Sequence, residues 1–396
     1  MPVSLAINGG TPVRETMLRY GAQSIDADDW KAVENVLRSD WLTTGPAVAE
    51  FEQALCDFTG AKYAVAVNTG TAALHASCSI TQVSEGDEVI VPAISFVASA
   101  NCAVYQGAKP VFADLERDTL NIDSVDVARK ITNKTKAIVV VDFAGHPCDH
   151  DALNDLSKHY GIPIIHDAAH SLGAMYKGKS IGKLYNYTNL SFHPVKHITT
   201  GEGGAILTND EELAKKLRSF RHHGIDLDLH SREIRNSWEY DVTSLGFNYR
   251  IPDINCALGT SQLKKQFGWL AARRSIAASY NAAFSELPMV EAPQEREGCQ
   301  SAWHLYVVRL NLRAMSVSKE EIFSALRAEN IGVNVHYIPI PWLSYYKKLG
   351  YERGQWSVAE SEYERVLSLP MYPTMTAQDV SDTVEALYKV WAAYRL

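Results

Sequence analysis

Short apolar runs rich in β-branched residues recur at 64–67, 88–91, 110–113, 137–142, 162–167, 187–192 and 204–208. Helical segments separate the earlier ones, starting at Thr71, after Ser95 and near 149–159. These runs are nearly continuous rather than alternating, so each strand is buried on both faces, and intervening helices make the strands parallel. The fold class is α/β: a mostly parallel sheet with helices on both faces.

Upstream, the spacing predicts an amphipathic helix over 27–39, with Asp26 as N-cap and Asp28 and Asp29 in its first turn. The polar turn Thr43-Thr44-Gly45-Pro46 follows it. A charged, core-poor stretch at 222–244 interrupts the strand–helix alternation. After Ile251-Pro252 one long helical segment runs to about residue 286, with few breakers. Strand 303–310, helix 319–329, short strand 333–336 and a closing helix 377–394 then make a smaller α+β unit. This reading divides the chain into residues 1–250, an N-terminal segment with a large α/β domain, and 251–396, a connecting helix with the small domain.

The chain has 396 residues, ample for such a division. Its net charge of −8 excludes a dominant basic face for nucleic acid. Six scattered cysteines have no disulfide-framework spacing and read as small buried hydrophobes. His146-Pro147-Cys148-Asp149-His150 has metal-ligand residue types, but no second cluster in the sequence completes a site, so no metal is expected. The first residues lack a basic start and a long apolar stretch, and no run approaches a membrane span, which points to a reducing cytoplasm.

The chemistry concentrates at the strand ends. Lys196 sits in the turn His193-Pro194-Val195-Lys196 between two strand-like runs, and Asp167 ends another. A lysine that forms a Schiff base needs a rigid seat and an available amine. An acid that pairs with a pyridinium nitrogen must face the same cavity from a buried strand end. Asn68-Thr69-Gly70-Thr71 follows a strand and opens a helix, where free amides and a glycine can receive a phosphate. Phe96 enters the same sheet end and can cover a planar ring. Singly, these signals also fit a solvated loop lysine, a helix cap, a capped turn and a core aromatic. Their order along the chain is what points to pyridoxal phosphate.

That ordered set, with Asp167-Ala168-Ala169-His170, Ser191-Phe192-His193-Pro194-Val195-Lys196 and Gly246-Phe247-Asn248-Tyr249-Arg250, resembles the DegT-type sugar-nucleotide aminotransferases. The resemblance covers nearly the whole chain. It implies a fold-type-I pyridoxal phosphate transferase, with pyridoxamine phosphate as the intermediate form of the cofactor. It implies that Lys196 carries the cofactor and shuttles the proton, and that Asp167 holds the pyridine nitrogen protonated. His170 would face the phenolic oxygen, Phe96 would stack on the ring, and Gly70, Thr71 and Ser191 would hold the phosphate. Asn248 would reach the phosphate from the partner subunit of a homodimer with shared sites. Tyr20, the turn Asp40-Trp41-Leu42-Thr43 and the segment His336-Tyr337-Ile338-Pro339 would line the sugar-nucleotide side.

Within the family, Tyr20, Ser39–Thr43 and Ala144–Asp149 look most like the pseudaminic acid branch. That likeness implies amino transfer from L-glutamate to UDP-4-keto-6-deoxy-N-acetyl-β-L-altrosamine. Another keto sugar nucleotide, carried on dTDP or GDP, or a regulatory relative without catalysis, are the alternatives. Relatives with histidine in place of the lysine act as sugar dehydratases. Ser191 five residues before Lys196 and Gly201-Glu202-Gly203-Gly204 after it fix the register on the lysine.

Overall fold

The structure, a computed structural model, describes residues 4–225 and 238–396; residues 226–237 of the polar stretch lie outside it. Helix α1 (Ala27–Leu37) begins at a reciprocal cap, in which the Asp26 carboxylate accepts from the Asp28 and Asp29 amides and the Asp29 carboxylate accepts from the Asp26 amide. Helix α2 (Pro46–Thr59), absent from the sequence reading, opens with proline where a missing N–H costs nothing.

The main sheet is built from β1 (Tyr63–Val67), β2 (Glu88–Pro92), β3 (Lys109–Ala113), β4 (Thr135–Val141) and β5 (Ile164–Asp167), then β8 (Thr188–Ser191) and β9 (Gly204–Thr208). Between β5 and β8 lies a small antiparallel hairpin, β6 (Met175–Tyr176) and β7 (Lys179–Ser180). The spatial order is β1-β9-β8-β5-β4-β2-β3. Only β9 of these seven runs against the others. Helices α3 (Gly70–Ile80), α4 (Ala98–Val104), α5 (Ser124–Lys130), α6 (His150–Tyr160) and α7 (Glu211–Phe220) cover the sheet. Ala137, Ile138, Val139 and Val140 are all fully buried, as a strand covered on both faces requires.

The expected single helix after Pro252 is two, Asp253–Leu263 and Gln266–Phe284. The break falls at Lys264-Lys265, where the Lys265 ammonium turns to the carboxylates of Asp26 and Asp29 on α1. The first of the two helices packs on α1 and α2, beside the large sheet. Beyond them, β10 (Val290–Glu291), β12 (Tyr306–Leu310) and β13 (Val366–Leu369) form a second sheet, and β11 (Cys299–Gln300) pairs with β6. Helices Lys319–Ala328 and Ala377–Tyr394 pack with this sheet around a separate core containing Tyr280, Tyr306, Ile322 and Leu387.

The beginning of the chain is threaded across this second unit. Glu329, fully buried, accepts from the amides of Ala6 (2.8 Å) and Val13 (2.9 Å) and from Lys389 Nζ (2.7 Å). Leu18 bridges to Ile331, and the Tyr20 carbonyl accepts from the Met371 amide at 3.0 Å. No described helix is long and apolar enough to cross a membrane.

Beneath the sheet edge, the completely buried Asp142 carboxylate meets His166 Nε2 at 2.8 Å and His150 Nε2 at 3.1 Å. The Tyr185 hydroxyl lies 3.0 Å from His150 Nδ1 and the Thr188 hydroxyl 3.4 Å from His166 Nδ1. His150 thus has neighbours of metal-ligand type that sequence spacing did not reveal, because they arrive from β4 and β5. Their donor atoms lie within 4.8 Å of one another, with His166 Nε2 bonded to Asp142 and His150 Nε2 near the same carboxylate but without a hydrogen bond of its own.

Burial alone pushes the Asp142 carboxyl up, but His166 and His150 outweigh it and hold it well below the usual range. A depressed carboxylate adds stability above its unfolded value, and that stability is lost as pH falls through the folded one. Asp142→Asn is therefore expected to lower the melting temperature at neutral pH and to flatten its fall below about pH 4. Parallel melting curves of the two proteins across that range would remove the cluster from acid stability.

Candidate active site

The C-terminal ends of β1, β4, β5 and β8 open onto a cavity of about 510 Å³, where parallel sheets place their ligands. Asp167 closes β5 and is buried at its floor. Its Oδ2 accepts from Ser99 Oγ at 2.7 Å and its Oδ1 from the Ala169 amide at 3.2 Å. Ser99 is in turn 2.8 Å from Ser95, four residues earlier in the bend that leads into α4. Burial raises the Asp167 carboxyl, while these bonds and the Lys196 charge oppose the rise.

Lys196 projects from the β8–β9 connection, which is tied to itself. Phe192 donates to the Gly203 carbonyl at 2.9 Å, Thr200 to the Phe192 carbonyl at 3.0 Å, and Lys196 N to the His193 carbonyl at 2.9 Å. Its side chain is half-buried in the cavity wall. Desolvation lowers the amine to about 8, with Asp167 pulling the other way. Lys177 and Lys179 belong to the β6–β7 hairpin, and Lys177 pairs with Asp151 at 2.6 Å on the surface.

At the phosphate end, Thr69 caps α3 by accepting from the Ala72 amide at 3.0 Å, leaving the first amides of the helix free to face an anion. A Cβ on Gly70 would stand 2.8 Å from Ser191 Cβ, and one on Gly204 would stand 2.5 Å from the Thr69 carbonyl. Turn and strand therefore close to a distance only glycine permits. A helix N-terminus with a glycine cradle, a buried carboxylate and a lysine of lowered basicity form a donor set that fits pyridoxal phosphate.

Phe96 is half-exposed over the cavity, 6.2 Å from the Tyr337 ring. His170 is buried, and its Nε2 lies 3.3 Å from the Tyr337 hydroxyl. Burial, reinforced by Lys196, holds His170 well below the ordinary imidazole value. Tyr20 and His336 also line the cavity, with rings 5.5 Å apart. Gly70, Thr71, Phe96, Asp167, His170, Ser191, Lys196, Tyr20, His336 and Tyr337 thus meet in one place.

Other expected residues stand elsewhere in this chain. Asp40, Trp41, Leu42, Thr43 and Ile338 are exposed and outside the cavity lining, and the neighbouring Pro339 is buried but also outside it. Asn248 is exposed beside His222, while the next residue's carbonyl accepts from the Asn68 amide at 3.0 Å. Sequence reasoning missed Ser99, His304 and Asn334. The i, i+4 pair Ser95/Ser99 at a helix start was the available signal for the first, and nothing local marked the other two.

The model of the DegT/DnrJ/EryC1/StrS aminotransferase family matches residues 23–388. The chain belongs to that family. It is 40% identical to the spore coat polysaccharide biosynthesis protein SpsC of Bacillus subtilis over 377 residues, 94% of this chain and 97% of that protein. Among solved structures it resembles PseC of Helicobacter pylori, an aminotransferase involved in the biosynthesis of pseudoaminic acid. That similarity has a TM-score of 0.89 at 34% identity, over 95% of this chain and 99% of PseC. The PMP-form of Streptococcus pneumoniae Spr1654, described as a sugar aminotransferase, superposes with a TM-score of 0.89 at 32% identity over 94% and 99% of the two chains. Its PLP-form is also solved. The family and these neighbours establish a fold-type-I, pyridoxal-phosphate-dependent transaminase of nucleotide sugars.

Proposed function

We propose that this aminotransferase moves the amino group of L-glutamate to C4 of a 4-keto-6-deoxy sugar nucleotide, UDP-4-keto-6-deoxy-N-acetyl-β-L-altrosamine. The convergence of Lys196 and Asp167 on one cavity supports the chemistry, and the likeness to PseC supports the sugar. Pyridoxal phosphate bound there supplies an electron sink for the carbon that loses or gains its proton.

In this reading Lys196 would hold the cofactor covalently and, in each half-reaction, move a proton between the substrate carbon bearing nitrogen and the cofactor carbon bound to that nitrogen. An amine lowered to about 8 is accessible in its neutral form near physiological pH, as both tasks require. Asp167, fixed by Ser99 and the Ala169 amide, keeps the pyridine nitrogen protonated. Gly70, Thr71 and Ser191 receive the phosphate, Phe96 covers the ring, and His170 faces the phenolic oxygen. Tyr20, His336 and Tyr337 contact the sugar nucleotide. The test is a panel of keto sugar nucleotides carried on UDP, dTDP and GDP, incubated with glutamate and read by product mass. Amination of a dTDP or GDP sugar alone would overturn the choice of substrate.

The site is proposed to be shared within a homodimer. Lys196 is the only lysine or arginine among the described residues lining the cavity. A diphosphate and a dicarboxylate donor together need more cations than that. Asn248, exposed and not part of its own cavity lining, is proposed to cross to the partner's phosphate, and the Asp40–Thr43 turn and Ile338-Pro339 to the partner's sugar side. Mixing Lys196→Ala with an inactive Asn248→Asp under subunit exchange then restores roughly a quarter of parental activity, since half the dimers are mixed and each has one intact site. No recovery after verified exchange would mean that each chain builds its own site.

A further inference from the structure

A group of buried imidazoles lies behind the cavity. The His304 ring is 4.4 Å from that of His170, tilted by 35°, and 5.4 Å from that of His197. His170 and His304 are each 4% exposed, and Nδ1 of each is buried without a hydrogen-bond partner. Local sequence does not explain this pairing, since the two residues are 134 positions apart.

The backbone around His304 is built to maintain it. Trp303 adopts φ +48°, a left-handed conformation that is unfavourable for a bulky residue and persists only where its surroundings impose it. The surroundings do so from two sides. Ala302 donates to the Gly145 carbonyl at 2.9 Å and Leu305 to the Ala144 carbonyl at 3.2 Å. A Cβ on Gly145 would meet the His170 carbonyl at 2.7 Å and the His304 amide at 3.0 Å, so the two histidine backbones are jammed against one turn. From the other side Arg273, itself 1% exposed, donates to the carbonyls of Trp303 (3.1 Å), His304 (3.3 Å) and Met371 (3.1 Å).

We infer that His304 is a positioning residue that keeps His170 neutral in the Nε2–H tautomer, so that His170 presents a hydrogen-bond donor to the cavity. This deepens the reading of His170 as the residue facing the cofactor's phenolic oxygen. His170 Nδ1 is buried and unpaired, and the His304 ring is packed beside it with centroids 4.4 Å apart. A buried, unpaired N–H is rarer and costlier than a buried, unpaired lone pair, so the proton resides on Nε2, where the Tyr337 hydroxyl is in reach. The groups facing His170 are Lys196 and His197 from the β8–β9 connection, His336 and Tyr337 from the segment after Asn334, His304, and Asp142 from the end of β4. Among the described rings around His170, that of His304 is the nearest, with centroids 4.4 Å apart against 6.2 Å for Tyr337, and His304 is itself held neutral by burial.

The experiment is nitrogen NMR of the full chain labelled in histidine, with no cofactor added, so that the outcome does not depend on the cofactor reading. His170 is expected as the Nε2–H tautomer with no protonation down to mildly acidic pH. The Nδ1–H tautomer in the parent protein overturns the inference without recourse to any variant. His304→Ala is expected to admit water and raise the His170 midpoint by about one unit or more. His304→Phe keeps a ring in place and is expected to leave tautomer and midpoint at parental values. A phenylalanine variant that shifts them as far as alanine, or an alanine variant that shifts neither, also overturns it.

Discussion

Lys196→Ala is expected to abolish the visible absorbance of bound pyridoxal phosphate and to lower turnover by at least about a thousand-fold, while the melting temperature stays near the parental value. The side chain lies in a cavity wall whose backbone is held by bonds that do not involve its amine, so truncation leaves the Phe192–Gly203 connection intact. No other lysine among the described residues lines the cavity, and Lys177 is engaged with Asp151 on the far hairpin. The amine also sets the pH of cofactor loading in the parent protein. Below about 8 it is protonated and unreactive, and above it is free, so the loading rate of cofactor-free protein is expected to rise through that pH. Turnover surviving in the alanine variant at a substantial fraction of parental would remove Lys196 from the chemistry.

Asp167→Asn is expected to keep the cofactor bound and to slow transamination by about a hundred- to a thousand-fold, on the order of 3–4 kcal/mol. Asparagine preserves the size of the side chain, and its single oxygen can accept from the Ala169 amide while its NH2 donates to Ser99 Oγ, so the β5 terminus keeps its shape. What it loses is the negative charge proposed to face the pyridine nitrogen. The same loss acts on Lys196, because Asp167 is what raises that amine against the desolvation around it. The pH midpoint of cofactor loading is accordingly expected to fall below the parental one. Steady-state rates and loading curves on the two proteins check both effects, and unchanged values in each would leave Asp167 a structural residue only.

The parts of this site that were legible in the sequence are those whose signal is local. A strand ending in an acid, a lysine between two strands, and a strand–Gly–helix turn each declare themselves within a few residues, and continuous apolar runs declare the sheet between them. Ser99 needed the helical period applied to a short polar pair. His304 could not be found locally, because it reaches the cavity through a left-handed Trp303 and a buried Arg273 that come from distant segments. The helix break at Lys264-Lys265 follows a tertiary ion pair with α1, and tertiary contact overrides the helical propensity that predicted an unbroken run.

The path of residues 4–20 has a mechanical consequence. Glu329 and the strand-like contact at Leu18 suspend this segment from the second unit, and Tyr20 hangs from its end into the cavity. Lys196 and Asp167, by contrast, are anchored in the large sheet. Tool and handle are therefore mounted separately. With Tyr20 in its proposed role at the sugar, changes there or along its tether are expected to retune which sugar is grasped without loading the strands that carry Lys196 and Asp167, which makes residues 4–20 a natural starting point for redirecting this scaffold to new acceptors.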